Sequence, residues 1–292
     1  MHVLRPEPGR AGVDLLDRAL GGRDGPLRLL DRPARFLDGL VGRGEPAVVP
    51  ADGLGPLGGG LVVLLRPSGN SFELYVLRRA ATMAFGGLYA FPGGGVDPTD
   101  RPDTLRTDWP TRLGVPAERA HAVVGAAVRE LFEETGVLLA GPIEQPDRTL
   151  ADVSTADWEA DRAAVAAREL TLTELLRRRG LRVRDDLLFS WARWITPEFE
   201  PKRYDTWFFV SLLPEGQTAR DVSGEATEAI WIGPGAPTGL AMLPPTRHTV
   251  DSLSAYGEMA QVVAAASRRD AATPVMPRVE LTNDGGALLH LQ

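Results

Sequence analysis

The sequence contains no cysteine, a single lysine at Lys202, and only four histidines among its 292 residues. Without cysteine the chain can form no disulfide, no thiolate metal site and no cysteine nucleophile. The histidines share no metal-ligand spacing, and they are His2, His121, His248 and His290. Any catalytic chemistry must therefore use oxygen and nitrogen groups.

Excess positive charge and long apolar runs are also missing. Lysine and arginine total 32 against 39 acidic residues, a net charge of -7, so no overall positive field attracts nucleic acid. The longest apolar runs, such as residues 61–65, are far shorter than the ~20 residues that span a bilayer. The N-terminal MHVLRPEPGR lacks the apolar core of a secretory signal. We expect a cytoplasmic protein that binds neither nucleic acid nor membranes.

The composition is that of a folded protein, with 43% hydrophobic and 24% charged residues. Strand-like segments at 61–67 and 72–79 flank a Ser-Gly-Asn turn and predict a β-hairpin. Residues 1–57 are rich in glycine, proline and arginine, and we assign them to an N-terminal extension of unknown role. Residues 58–292 are predicted to form one α+β domain.

Helix signals are strongest at residues 116–135, which begin with proline and are followed by Gly136. Further along the chain, the pattern predicts a helix at about 155–179, strands at 191–197, 206–214 and 229–233, a helix at 246–267, and a C-terminal hairpin around Asp284–Gly286.

Three glutamates, Glu130, Glu133 and Glu134, lie within one arc of roughly 100° on the 116–135 helix. Apolar residues such as Val124 and Leu131 centre on a different face. One interpretation is the solvated face of an ordinary amphipathic helix. The other is a metal site, because clustered carboxylates repel one another and hard divalent cations such as Mg²⁺ prefer oxygen ligands.

A glycine turn at 91–100 precedes this helix, and together they resemble the signature of the Nudix hydrolases, GxxxxxE, seven residues, then REUxEExGU. The second part is complete from Arg129 to Val137. Gly94 matches the box glycine, and Asp100 stands where the family has glutamate. Residues 101–128 separate the two parts, so we infer an insertion at 101–121, which its composition indicates is a surface loop.

An inserted box resembles one branch in particular, the coenzyme A and acyl-coenzyme A diphosphatases. The stretches that carry this resemblance are 77–94, 194–209 and 225–231. In the first of them, Arg79 matches a motif arginine only with a one-residue gap, and the second arginine of the branch motif is absent. The resemblance implies a Nudix fold, in which a mixed β-sheet is sandwiched between helices.

The resemblance also implies hydrolysis of a diphosphate bond with Mg²⁺ or Mn²⁺ as cofactor. The metal ligands would be Glu130, Glu133 and Glu134 with the carbonyl of Gly94. Arg129 would orient a box carboxylate through charge-assisted hydrogen bonds. Glu133 and Glu134 would share in catalysis.

The general base would come from the box or from a later loop acid, either Glu225 or its alternate Glu228. Substrate contacts are expected from Arg79, Arg203 and Asp205, with an edge-strand ion pair as the alternative for the last two. Two insertion arginines, Arg106 and Arg112, are further candidates for binding the 3′-phosphate of coenzyme A.

The leading hypothesis is therefore a metal-dependent coenzyme A or acyl-coenzyme A diphosphatase. The first alternative is a hydrolase of ADP-ribose, NADH or another dinucleotide or sugar nucleotide. The second is a Nudix-fold ligand sensor without turnover, which the intact acids of the helix disfavour. The expected partner is a small-molecule nucleotide-diphosphate substrate, and a homodimer is left open.

We expect Glu133→Gln and Glu134→Gln each to lose most of the turnover, about 10²-fold or more, while the fold survives. The amide keeps the shape of the side chain but loses the charge that holds a metal. Turnover and far-UV circular dichroism of both variants check this, and wild-type rates in both would contradict the metal assignment.

Overall fold

The computed structural model describes residues 27–29, 58–197, 203–235, 239–281 and 287–290. The strands in these ranges are β1 (Leu27–Leu29), β2 (Gly59–Ser68), β3 (Ser71–Arg79), β4 (Tyr89–Ala90), β5 (Gly93–Gly95), β6 (Ala140–Pro142), β7 (Leu181–Val183), β8 (Leu188–Ile195), β9 (Asp205–Leu212), β10 (Ala226–Ile232), β11 (Pro274–Val275), β12 (Arg278–Leu281) and β13 (Ala287–His290). The helices are α1 (Trp109–Leu113), α2 (Ala117–Thr135), α3 (Ala156–Ala166), α4 (Leu172–Arg179), α5 (Pro244–Leu253) and α6 (Met259–Ala266), with one 3₁₀ turn at Asp185–Leu187.

A mixed β-sheet in the order β10-β3-β2-β9-β8-β11 forms the centre of the fold. The pairs β2–β9 and β8–β11 are parallel, and the other neighbours are antiparallel. The short strands β4 and β5 pair with β3 and β2. The predicted hairpin at 61–79 is confirmed, because β2 and β3 pair around a turn at Gly69–Asn70.

Both faces of the sheet are covered, since alternate residues of a strand point to opposite sides. Val62 and Leu64 belong to a core that includes α2, whereas Val63 and Leu65 belong to a second core that includes α5 and α6. All four side chains are fully buried. The structure thus confirms the predicted α+β class and the arrangement of a mixed sheet between helices.

Close packing places α2 on the sheet. A Cβ added to Gly60 of β2 would lie 2.9 Å from the Cβ of Ala127 and 3.0 Å from the carbonyl oxygen of Val123. Glycine at this position therefore allows the helix to approach the strand backbone. Because α2 is buried along most of its length, its orientation is determined by this contact and leaves its acidic residues beside β5.

The helix predicted at 116–135 is confirmed as α2, which ends at Gly136 in the left-handed conformation with φ 71°. The helix expected at 155–179 is instead two helices, α3 and α4. Thr171 forms a capping box with Glu174, which begins a new helix there. The helix expected at 246–267 is also divided, into α5 and α6, with a break at residues 254–258.

The expectation that the insertion is a surface loop is wrong for part of it. Trp109–Leu113 form α1, and residues 117–121 already belong to α2. Trp109 and Leu113 are fully buried. The indole nitrogen of Trp109 donates to Asp185 at 2.7 Å, and its ring packs edge-on against Phe209 with centroids 5.9 Å apart. The insertion is anchored in the core by an aromatic side chain.

The predicted C-terminal hairpin is confirmed by the antiparallel pairing of β12 with β13, although the turn around Asp284–Gly286 lies outside the described residues. β1, from the N-terminal extension, pairs with β13 in the same small sheet. The rest of the extension also lies outside the described residues. None of the helices in the described ranges has the length and apolar character needed to cross a membrane.

Candidate active site

The glycine strand β5 lies against the acidic face of α2. A Cβ added to Gly94 would lie 2.5 Å from Oε1 of Glu130, so a larger residue would displace that carboxylate. The amide of Gly93 donates to Oε2 of Glu134 at 3.0 Å. Glycine in this strand therefore brings the main chain into direct contact with two box glutamates.

A single buried guanidinium, that of Arg129, joins the glycine segment to the helix. Its Nε and Nη2 donate to the two oxygens of Asp100 at 2.7 and 3.0 Å, and Nη2 also donates to the carbonyl of Gly95 at 2.9 Å. Its Nη1 donates to Glu130 at 2.8 Å and to Glu133 at 3.0 Å. Five acceptors on two segments thus share one cation.

Asp100, which stands where the family has glutamate, is only 3% exposed. Besides its bidentate pairing with Arg129, its Oδ2 accepts from the amide of Asp97 at 2.7 Å. Both carboxylate oxygens are therefore used within the protein. This placement makes Asp100 the acid that holds Arg129.

The three box glutamates are largely buried, so the interpretation of α2 as carrying an ordinary solvated acidic face is wrong. Glu133 and Glu134 are each 9% exposed, and the side chain of Glu130 is 13% exposed. Burial raises the pKa of Glu130 and of Glu133 above the ordinary value, against the opposing charge of Arg129. Burial, with the neighbouring charge of Glu130, raises the pKa of Glu134 to about 8. Burial therefore disfavours the charged forms of these three carboxylates in the absence of a cation.

A shallow cleft opens over Glu134. Arg79 and Glu225 line it from the ends of β3 and of the loop before β10, and the main chain joins these two segments because Ala80 N donates to the Glu225 carbonyl. The other lining residues are Leu77, Met83, Ala90, Phe91, Ser223 and Ala226. Three of the predicted site residues, Arg79, Glu134 and Glu225, are far apart in sequence and therefore meet only in the folded chain.

The donor chemistry of the cluster fits a divalent cation. Buried carboxylates with raised pKa values are stabilised when a cation replaces the missing positive charge, and oxygen is the ligand that Mg²⁺ prefers. Within the described residues, no three histidine, aspartate or glutamate side chains already form a ready metal site. Glu130 and Glu133 instead bind Arg129.

Other predicted site residues lie outside the cleft lining. Asp205 is 3% exposed and accepts from Arg193 and Arg119, so it is ion-paired. The expected edge strand is wrong, because β9 lies inside the sheet between β2 and β8. Arg203 donates to the carbonyl of Thr196. Glu228 accepts from the hydroxyl of Tyr89 at 2.6 Å.

The two insertion arginines, Arg106 and Arg112, both pair with Asp108 at 2.8 and 2.6 Å. Their positive charge is therefore partly neutralised within the insertion itself. Binding of a 3′-phosphate by this pair would require one or both to leave Asp108.

The sequence does not identify two residues at the site, Met83 and Arg168. Met83 lies within a motif-like stretch but carried no chemical signal. Arg168 lies beyond the box in sequence, and its Nη1 donates to Asp97 at 2.8 Å beside the carboxylate cluster. No local pattern marks Arg168, since only the fold brings the end of α3 next to the glycine segment.

Comparisons with known proteins agree with this geometry. The family model of the NUDT19 Nudix domain matches residues 106–240. "Putative nudix hydrolase 7" of Caenorhabditis elegans is 29% identical over 163 residues, which are 56% of this chain and 47% of that protein, so the chain spans about half the length of this curated relative. A NUDIX hydrolase crystal structure from Alicyclobacillus acidocaldarius has a TM-score of 0.58 and 25% identity, with 72% of this chain and 96% of that chain covered.

The box residues, their convergence beside the glycine strand, and these matches point to one class of protein. The chain is similar to the Nudix superfamily in its fold and its box, and the matches support a Nudix-type hydrolase.

We expect Asp100→Asn to destabilise the fold by about 3–5 kcal/mol, because loss of one partner leaves a buried charge incompletely paired. The matched control is Asp103→Asn, which removes an aspartate paired with Arg177 on the surface, where the two side chains are 51% and 63% exposed. That change should have little measurable effect. Urea unfolding of both variants provides the comparison, and equal losses would contradict the anchoring role of Asp100.

The raised pKa of Glu134 predicts a pH dependence of stability in metal-free protein. The folded state holds this proton up to about pH 8, whereas an unfolded chain releases it near the ordinary pKa of 4.5. The stability from this group is therefore fully present below about pH 4.5 and is lost as the pH rises to about 8. With EDTA present, Tm should fall between about pH 5 and 8, and Glu134→Gln should reduce that fall.

The control for this measurement is Glu118→Gln, which changes an exposed glutamate on the same helix. It should leave the pH dependence of Tm as in the wild type. An identical fall in Tm for the wild type and both variants would show that Glu134 does not titrate in this range.

Proposed function

We propose that the protein hydrolyses the diphosphate bond of a nucleoside diphosphate linked to another group, with coenzyme A or an acyl-coenzyme A as the preferred substrate. The observation that carries this proposal is the shared cleft of Arg79, Glu134 and Glu225. It combines a cation for substrate phosphates, a buried metal-binding acid and an exposed acid that can accept a proton.

Hydrolysis of a diphosphate requires that its dense negative charge be neutralised. Nudix hydrolases generally need divalent metal ions, and Mg²⁺ or Mn²⁺ held here would neutralise phosphate oxygens and lower the pKa of a bound water. The residues that would hold the metal are Glu130, Glu133, Glu134 and the carbonyl of Gly94. The burial and raised pKa of Glu134 support this assignment, because a bound cation would take the place of the proton.

Two residues of the chain, Arg129 and Glu225, would have separate roles in the hydrolysis. Arg129 holds Glu130 and Glu133 on one side of the glycine strand. Water oxygen adds to one phosphorus, the bridging P–O bond breaks, and each product keeps one phosphate. In our proposal the Glu225 carboxylate accepts the proton released by the water, because Glu225 lines the cleft and Glu228 is bonded to Tyr89.

The preference for coenzyme A rests on the stretch 77–94, which resembles the motif of that branch. This stretch supplies five of the lining residues, Leu77, Arg79, Met83, Ala90 and Phe91. The Nε of Arg79 donates to the carbonyl of Ala84 at 2.9 Å, which holds the guanidinium against its own loop. ADP-ribose, NADH and sugar nucleotides present the same diphosphate and form the alternative substrate class.

A screen of substrates tests the proposal. Purified protein with Mg²⁺ or Mn²⁺ is incubated with coenzyme A, an acyl-coenzyme A, ADP-ribose and NADH, and phosphate released after phosphatase treatment is measured. The highest kcat/KM should be for coenzyme A or its thioester. Turnover of ADP-ribose alone would support the alternative substrate class. Binding without turnover would support the hypothesis of a ligand sensor.

A matched pair of variants tests the base. Glu225→Gln should lower kcat by about 10²-fold or more with a small change in KM, because an amide cannot accept the proton. Glu228→Gln changes the glutamate three positions further on and should stay within a few-fold of wild type. Equal losses, or a loss only in Glu228→Gln, would remove Glu225 from this role.

A further inference from the structure

Arg168 follows α3, in the segment between the box helix and β8, and its backbone is in the left-handed region with φ 62°. Glycine is the ordinary residue for this conformation at the end of a helix. The chain follows that rule at the ends of α2 and α4, where Gly136 and Gly180 have φ values of 71° and 65°. An arginine in this conformation suggests that its side chain has a function.

The guanidinium of Arg168 lies at the edge of the glycine segment. Its Nη1 donates to Oδ2 of Asp97 at 2.8 Å. The other oxygen of Asp97 accepts from the amide and the hydroxyl of Thr99, at 2.9 and 2.6 Å. Asp97 therefore keeps two hydrogen bonds if Arg168 leaves. The side chain of Arg168 is 51% exposed, so it has room to move.

Two arginines lie near the box glutamates. Arg79 lines the cleft over Glu134, whereas Arg168 lies beside Asp97 and is close enough to Glu130 and Glu133 for its charge to favour their ionised forms. A diphosphate bound over the box glutamates would therefore lie near two cations. Arginine binds phosphate oxygens through two parallel hydrogen bonds, which suits this position.

We propose that Arg168 is a substrate-binding residue that moves from Asp97 to the diphosphate group of the bound nucleotide. The inference rests on the proposed function and assigns one contact to it. It places recognition outside the box, in the segment between α3 and α4. Because the diphosphate is common to all the candidate substrates, the contribution of Arg168 is the same for each of them.

The variant Arg168→Gly distinguishes a loss of substrate binding from a loss of stability. Glycine fits the left-handed backbone, so Tm should stay unchanged or rise. KM for coenzyme A should rise about tenfold or more, with a smaller change in kcat, and by the same factor for 3′-dephospho-coenzyme A. Arg168→Lys should recover part of the affinity, since it keeps the charge without the bidentate geometry. Arg177→Ala, which removes another exposed ion-paired arginine, should leave both constants unchanged.

A binding measurement keeps this test independent of turnover. Calorimetry with the non-hydrolysable α,β-methylene-ADP and Mg²⁺ should show Kd raised about tenfold in Arg168→Gly. A lower Tm with unchanged KM and Kd would make Arg168 a structural residue and overturn the proposal. An effect confined to coenzyme A would overturn the assignment to the diphosphate. Wild-type binding without hydrolysis would contradict the proposed function but leave the Arg168 contact supported if the variant weakens that binding.

Discussion

The buried guanidinium of Arg129 is the interaction on which the candidate site depends. It is 2% exposed and donates to Asp100, Gly95, Glu130 and Glu133. These acceptors come from two segments separated by a long insertion. Because a buried charge must be fully paired, each acceptor restricts the position of the others. One side chain thus holds the glycine segment in register with the helix that carries the acids.

The insertion is tolerated because it leaves this arrangement unchanged. It begins after Asp100 and ends within the first turns of α2, before Arg129. Trp109 fixes it to the core through Asp185 and Phe209. A long connection costs little extra entropy once its ends are held and one of its side chains is buried. The box can therefore be divided in sequence and remain continuous in space.

The candidate site buries several carboxylates close to a small number of arginines. Burial raises the pKa values of the three box glutamates, against the opposing charge of Arg129 at Glu130 and Glu133. Arg79 lies near Glu134, and Arg168 lies beside Asp97. Such an arrangement is costly in an empty protein, since each buried carboxylate loses hydration. In the proposed function a cation would supply the compensating charge at these carboxylates, and the anionic substrate would then bind against that cation.

The local features of the protein follow from short-range signals in its sequence. Helix start and stop residues located α2, alternation and a turn located the β2–β3 hairpin, and the spacing of Arg129, Glu130, Glu133 and Glu134 identified the box, because these signals act over a few residues. Single long helices are predicted where the chain has breaks, because good helix formers lie on both sides of the capping box that Thr171 and Glu174 form in the structure. Contacts between residues far apart in sequence depend instead on the tertiary structure. Nothing in the local pattern places Arg168 beside Asp97, commits Asp205 to Arg193, or buries Trp109, because these contacts depend on how helices and loops pack across the sheet.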